Sequence, residues 1–133
     1  MGRRYPMIET TVSSLITIKP VLQQLANTEM PARDSFTVLR LLKIIDKEYE
    51  TIEATQRKML ETHGERDESG NFMPDGYGGV IIKSDSTKDF ADEMEQLLKT
   101  KVALEATPLK LEMLDKLKLT PNQLLKMEEF IEM

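Results

Sequence analysis

A single helical pattern from Ala32 to His63 constrains this chain more than any other stretch. Val38, Leu42, Ile45, Tyr49, Ile52, Gln56, Met59 and His63 recur at alternating steps of four and three, the spacing of a seam that faces partner helices. The first half also carries Phe36, Leu39, Leu41 and Ile44, which widens the apolar stripe and predicts burial against more than one neighbour. The second half is polar outside the seam, with Glu53 and Arg57, then Arg57 and Glu61, four residues apart. The pattern therefore predicts a helix with its N-terminal half in the core and its C-terminal half projecting. Thirty-two residues make a rod of roughly 48 Å, longer than a compact domain of this size is wide. A later segment of the chain, or another copy of it, is expected to cover the projecting half.

The 133 residues predict one domain over 1–133 that folds without staples. Cysteine is absent, so disulfides and thiolate chemistry are excluded. No run approaches the ~18 apolar residues of a membrane span, and no signal-peptide core follows Arg3 and Arg4. Gly2 does not suit myristoylation, because Pro6 stands where Ser or Thr is wanted. A net charge of −5 argues against nucleic acid as the main partner, since phosphate binding draws on clustered Lys and Arg. Without tryptophan and with few aromatics, a base-stacking surface is also poorly supplied. Nine methionines suit an ordinary core or an adaptable binding face.

Along the chain, residues 1–8 read as an extended arm. A helical segment follows from about Thr10 to Asn27, and Pro20 within it predicts one kinked helix or two short ones meeting near Thr17 to Lys19. Pro31 opens the long helix, which should pair antiparallel with the first. Gly64 is expected to stop the long helix as a left-handed cap. Turn signals at Ser69-Gly70 and Asp75-Gly76 frame a small hairpin of Asn71–Met73 with Gly79–Lys83. A third helix is expected from Ser86 or Thr87 to about Lys99, with Phe90, Met94, Leu97 and Leu98 on one face. Lys101–Ala106 reads as a strand able to pair with Val80–Ile82. Leu109–Leu117 is ambiguous between a short helix and an extended segment. Thr120-Pro121-Asn122-Gln123 has the spacing of a capping box and opens a helix carrying Leu124, Leu125, Met127, Phe130 and Ile131.

Chemistry-bearing patterns are sparse. His63 is the only histidine. Glu61, Glu65 and Asp67 could orient it, but a capping or surface histidine is the simpler expectation. Asp67, Ser69 and Asn71 have the spacing of the first calcium-loop ligands, yet Phe72 replaces the turn glycine and Gly78 the bidentate Glu. Gly76-Tyr77-Gly78-Gly79 lacks a phosphate-loop lysine and reads as a hairpin turn. The carboxylates at Asp89, Asp92, Glu93, Glu95, Glu128, Glu129 and Glu132 are expected on solvated faces. With Arg33 nearby, Arg40, Lys43 and Lys47 lie three and four apart on one helix face, which could meet an acidic partner or an anionic small molecule.

Several stretches together resemble a group of small proteins of unknown function encoded by tailed bacteriophages. They are Leu25 through Met30-Pro31 into the long helix, Glu48 through Leu60, the run His63 to Asn71, the strand before Pro108-Leu109, and the ending Leu119-Thr120-Pro121 to Phe130-Ile131. The likeness runs from about Val12 onward and brings no catalytic residues. It implies a phage origin, in which small acidic helical proteins serve in the particle or bind host factors.

The expected fold is mainly α (α+β): a long-helix hairpin, a small antiparallel β-sheet from Asn71 to Ala106 and a C-terminal helix. The expected function is non-enzymatic protein–protein interaction, as a structural or assembly component that oligomerises through the long helix. Tyr49, Ile52, Gln56, Met59, His63, Arg40, Lys43 and Lys47 are the candidate interaction residues. No cofactor, metal or membrane is implied, and the host cytoplasm or the virion is the expected location. The alternative is a phage inhibitor of a host factor or defence, acting by binding a protein or sequestering a nucleotide signal.

Overall fold

A computed structural model describes residues 7–132. The arm expected over residues 1–8 therefore falls mostly outside the described residues. Met7 and Ile8 belong instead to a strand, β1 (Met7–Thr11). The fold is mainly helical, with a long-helix hairpin, a two-stranded antiparallel sheet and a C-terminal helix. The chain forms two compact units, one of Met1–Glu48 with Lys99–Met133 and the other of Tyr49–Leu98.

In the first unit, β1 leads directly into α1 (Val12–Ala26), where the Thr11 side chain caps the helix by accepting from the Ser14 N–H at 3.3 Å. Val12, Leu15, Ile18, Val21, Leu22 and Leu25 recur at helical spacing and are all buried. Pro20 lies inside one helix, the undivided of the two arrangements its position predicts. It sits on the exposed side, where a lost backbone bond costs least because water can replace it. The first half of α2 (Ala32–His63) runs alongside, with Lys19 paired to Asp46 at 3.2 Å.

The strand expected over Lys101–Ala106 forms as β2 (Lys101–Glu105), but it pairs with β1 and not with Val80–Ile82. Ile8 faces Leu104 across the antiparallel ladder and both are buried, as is Thr10 opposite Val102. Both strands alternate inward and outward residues, so this register satisfies two half-buried faces at once. The ambiguous stretch after Pro108 contains both readings: β3 (Leu109–Lys110), then a single helical turn, α4 (Leu111–Leu114). The capping box forms in full at α5 (Pro121–Lys126), with Gln123 N–H donating to Thr120 Oγ1 at 3.2 Å and Thr120 N–H to Gln123 Oε1 at 2.8 Å. That helix stops at Lys126, short of the expected Ile131. A 3₁₀ turn (Glu128–Phe130) and β4 (Ile131–Glu132) follow, and β4 pairs in parallel with β3. The bend lets Ile131 meet Leu109 in that ladder while Met127 and Phe130 are fully buried.

In the second unit, the end of α2 passes into a closed ring of three short segments, followed by α3 (Thr87–Lys99). The hairpin expected from Asn71 to Lys83 is only one side of this ring. Bridges join Gly64 to Ile82, Arg66 to Phe72 and Pro74 to Val80, so each segment pairs with both others. Glu65 N–H donates to Ile81 O, Ile81 N–H to Met73 O and Met73 N–H to Glu65 O, at 2.7, 2.9 and 3.0 Å. Residues 65, 73 and 81 are thus related by steps of eight about a pseudo-threefold axis.

Two matching turns connect the segments. Asp67 Oδ1 accepts from the N–H groups of Ser69 and Asn71, and Asp75 Oδ1 from those of Tyr77 and Gly79. Gly70 and Gly78 occupy the equivalent left-handed position, at φ 84° and 87°. Lys83 N–H closes the ring onto the carbonyl of His63 at 2.9 Å.

Gly64 is not the left-handed cap its sequence suggested, because the positive-φ glycines are Gly70, Gly76 and Gly78. Its lack of a side chain serves packing. A Cβ there would lie 2.5 Å from the Leu60 carbonyl oxygen and 2.9 Å from the Phe72 ring.

Candidate interaction surface

The N-terminal half of α2 is buried at Val38, Leu41 and Ile45, as its spacing predicts, and the C-terminal half buries its seam as well. Ile52, Met59 and His63 of the C-terminal half are buried, and Tyr49 and Gln56 are half-buried. The chain itself therefore covers the seam, the first of the two covers expected for it, while Glu53, Arg57, Lys58 and Glu61 remain in solvent. The core of the N-terminal half consists of Val38, Leu41 and Ile45, but Phe36 and Leu39 stand 62% and 53% exposed.

These two face outward for a geometric reason. Apolar residues at 36, 38, 39, 41, 42, 44 and 45 wrap most of the way around a helix, and one packed layer can cover only one side of it. That surplus was the available sequence signal. It pointed to exposure as much as to a second buried contact.

Arg40, Lys43 and Lys47 are exposed and share the outer face with Phe36, which precedes them by four, seven and eleven positions. The Arg40 guanidinium sits over the Phe36 ring at 5.6 Å from its centroid, close enough for a cation–π contact. Beside this ridge lies a groove of about 310 Å³, lined on α2 by Phe36, Thr37, Arg40, Leu41 and Ile44, and opposite by Glu105, Ala106 and Thr107. A cationic, partly aromatic ridge next to a groove of mixed lining, with Glu105 on its far side, can seat an apolar side chain whose carboxylates lie toward the ridge.

The single histidine is not the surface cap expected of it. His63 is 7% exposed, with Nε2 2.8 Å from Glu93 Oε2 on α3 and the Phe90 ring meeting it edge-on at 6.1 Å. An ionised carboxylate only accepts, so this contact places the proton on Nε2. His63 Nδ1 is buried without a hydrogen-bond partner. The imidazole lines neither the groove beside Phe36 nor a second one of about 460 Å³ along β1 and β2.

The calcium-like spacing at Asp67 is accounted for by its turn, because Oδ1 is already shared between two backbone N–H groups. The glycine-rich run after Asp75 is the matching turn. Among the described residues no group of three or more His, Asp or Glu side chains is placed to hold a metal ion, and no helix is long and apolar enough to cross a membrane. No protein-family model, curated protein or solved structure matches the chain.

Proposed function

We propose that this is a non-enzymatic phage protein that acts through protein–protein contact, as a structural or assembly component associating through the long helix α2. The observation that carries this reading is the exposure of Phe36 and Leu39 on a helix that otherwise buries its apolar residues well. An aromatic and a leucine side by side in solvent, rimmed by Arg40 and Lys43, have the composition of an interface core with a polar edge. The length of α2 does not itself call for assembly, because Ile52, Met59 and His63 are covered within the chain. The contact surface is assigned to residues 36–47 instead.

Light scattering at tens of micromolar tests this. The full chain is expected to self-associate, and Phe36→Ser with Leu39→Ser to reduce it to monomer while matching the unfolding midpoint of the wild type diluted to its own monomer. A strict monomer from which pull-downs recover no partner overturns the reading.

A further inference from the structure

We propose that copies of this chain associate head to tail, with the α2 ridge of one copy seated on the acidic C-terminal patch of the next. The inference rests on α2 being the interaction element and names what the ridge meets. From Phe36 to Lys47 the ridge is roughly 16 Å long at the α-helical rise, with Leu39 beside it and three exposed cations, Arg40, Lys43 and Lys47.

A twofold contact centred on this ridge would lay it against its own copy, because residues at the axis of an isologous interface meet themselves. Cations would then face cations, which disfavours that pairing. The ridge needs carboxylates around an apolar anchor.

The chain presents such a surface at its C-terminal end. Leu125 is 68% exposed, and the exposed Glu128, Glu129 and Glu132 follow it, with Lys126 the one cation between Pro121 and Glu132 and Lys110 opposite Glu132 in the parallel ladder. Glu129 already accepts from the buried Thr10 hydroxyl at 3.2 Å, which leaves Glu128 and Glu132 to reach a partner. Other exposed apolar residues fit less well. Leu111 stands in a stretch of mixed charge, with Lys110 and Lys116 beside Glu112 and Asp115. Tyr77 follows Asp75, whose Oδ1 is held by its own turn.

Leu125 can enter the groove beside Phe36 while Glu128 and Glu132 meet Arg40, Lys43 and Lys47. Two different patches in a heterologous contact repeat into a ring or a filament, and close at two chains only if both copies exchange ridge and patch across one twofold axis.

Charge exchange tests this on the full chain by light scattering at low salt. The wild-type mass is expected to rise with concentration beyond two chains and to fall as salt screens the contact. Arg40→Glu/Lys43→Glu/Lys47→Glu and Glu128→Lys/Glu132→Lys are each expected to be monomeric, and an equimolar mixture of the two to reassociate, because each then offers what the other lacks. All five side chains are exposed, so circular dichroism and unfolding midpoints should match those of the wild type diluted to its own monomer; glutamine at the same positions gives a milder loss in the same direction.

A wild-type plateau at two chains, a charge-reversed variant that keeps the wild-type mass, or a mixture that stays monomeric overturns the head-to-tail contact. If Phe36→Ser/Leu39→Ser disrupts association and the charge variants do not, α2 remains the interaction element and only the C-terminal docking falls. A wild-type monomer sinks both unless pull-downs recover a partner through Phe36 and Leu39, which keeps α2 as the interaction element.

Discussion

Nε2 of His63, at the last position of α2, lies 2.8 Å from Oε2 of Glu93 on α3, so one pair ties the end of the long helix to the helix that follows the ring. Only the imidazole is buried; the Glu93 side chain is 48% exposed. The pair therefore orients more than it stabilises through charge. His63→Ala should destabilise the chain by about 1–3 kcal/mol through lost packing and an unpaired site, and Glu93→Gln by less than about 1 kcal/mol. Urea unfolding of both variants decides this, and equal losses would mean that the contact with Glu93, not the buried ring, carries the effect.

Gly64 and Gly70 predict different kinds of loss on substitution by alanine. At Gly64 a methyl would meet the Leu60 carbonyl oxygen at 2.5 Å and the Phe72 ring at 2.9 Å, so backbone or ring must move at a cost of about 1–3 kcal/mol. At Gly70 nothing lies within 4 Å, but φ is +84°, and alanine there should cost about 1–2 kcal/mol through backbone strain alone. Truncating Phe72 to Ala should recover part of the Gly64→Ala loss and none of the Gly70→Ala loss, measured by double-mutant unfolding cycles.

The two aspartate turns should respond alike because their hydrogen bonds are the same. Asp67→Ala and Asp75→Ala each remove an oxygen that two backbone N–H groups share, a loss of about 0.5–1.5 kcal/mol for exposed bonds. Amide exchange should quicken at Ser69 and Asn71 in the first variant, and at Tyr77 and Gly79 in the second. A substitution at one turn that speeds exchange at both would show that the ring opens as a unit.

Phe36 and Phe130 are the same residue type in opposite settings, 62% and 0% exposed. Phe36→Ala should change stability by no more than about 0.5 kcal/mol, whereas Phe130→Ala should cost about 3–5 kcal/mol. Thermal and urea unfolding compare them directly.

Much of the fold was legible from local chemistry. The bounds of α2, the Thr120 cap, the face of α3 and the turns at Gly70 and Gly76 all follow from periodicity, capping and left-handed glycine, which act within a few residues. The octad relation was present as Asp67 and Gly70 against Asp75 and Gly78, but two short copies look like two ordinary turns until the third segment, Gly64–Arg66, closes the ring. Strand partnership was not legible, because Lys101–Glu105 has the same alternation whichever strand it meets. The choice of Met7–Thr11 depends on pairing residues nearly a hundred positions apart.

The amino-acid sequence alone determined that this chain is mainly helical, that α2 extends from Ala32 to His63, and that Arg40, Lys43 and Lys47 share a face, since each depends on spacing along one helix. Tertiary structure alone decided which apolar residues are covered. It buries Met59 and His63 within the chain and leaves Phe36 and Leu39 outside. Burial depends on what other segments place against each face, and a helix with more apolar residues than one packed layer can cover does not specify which of them stay in water.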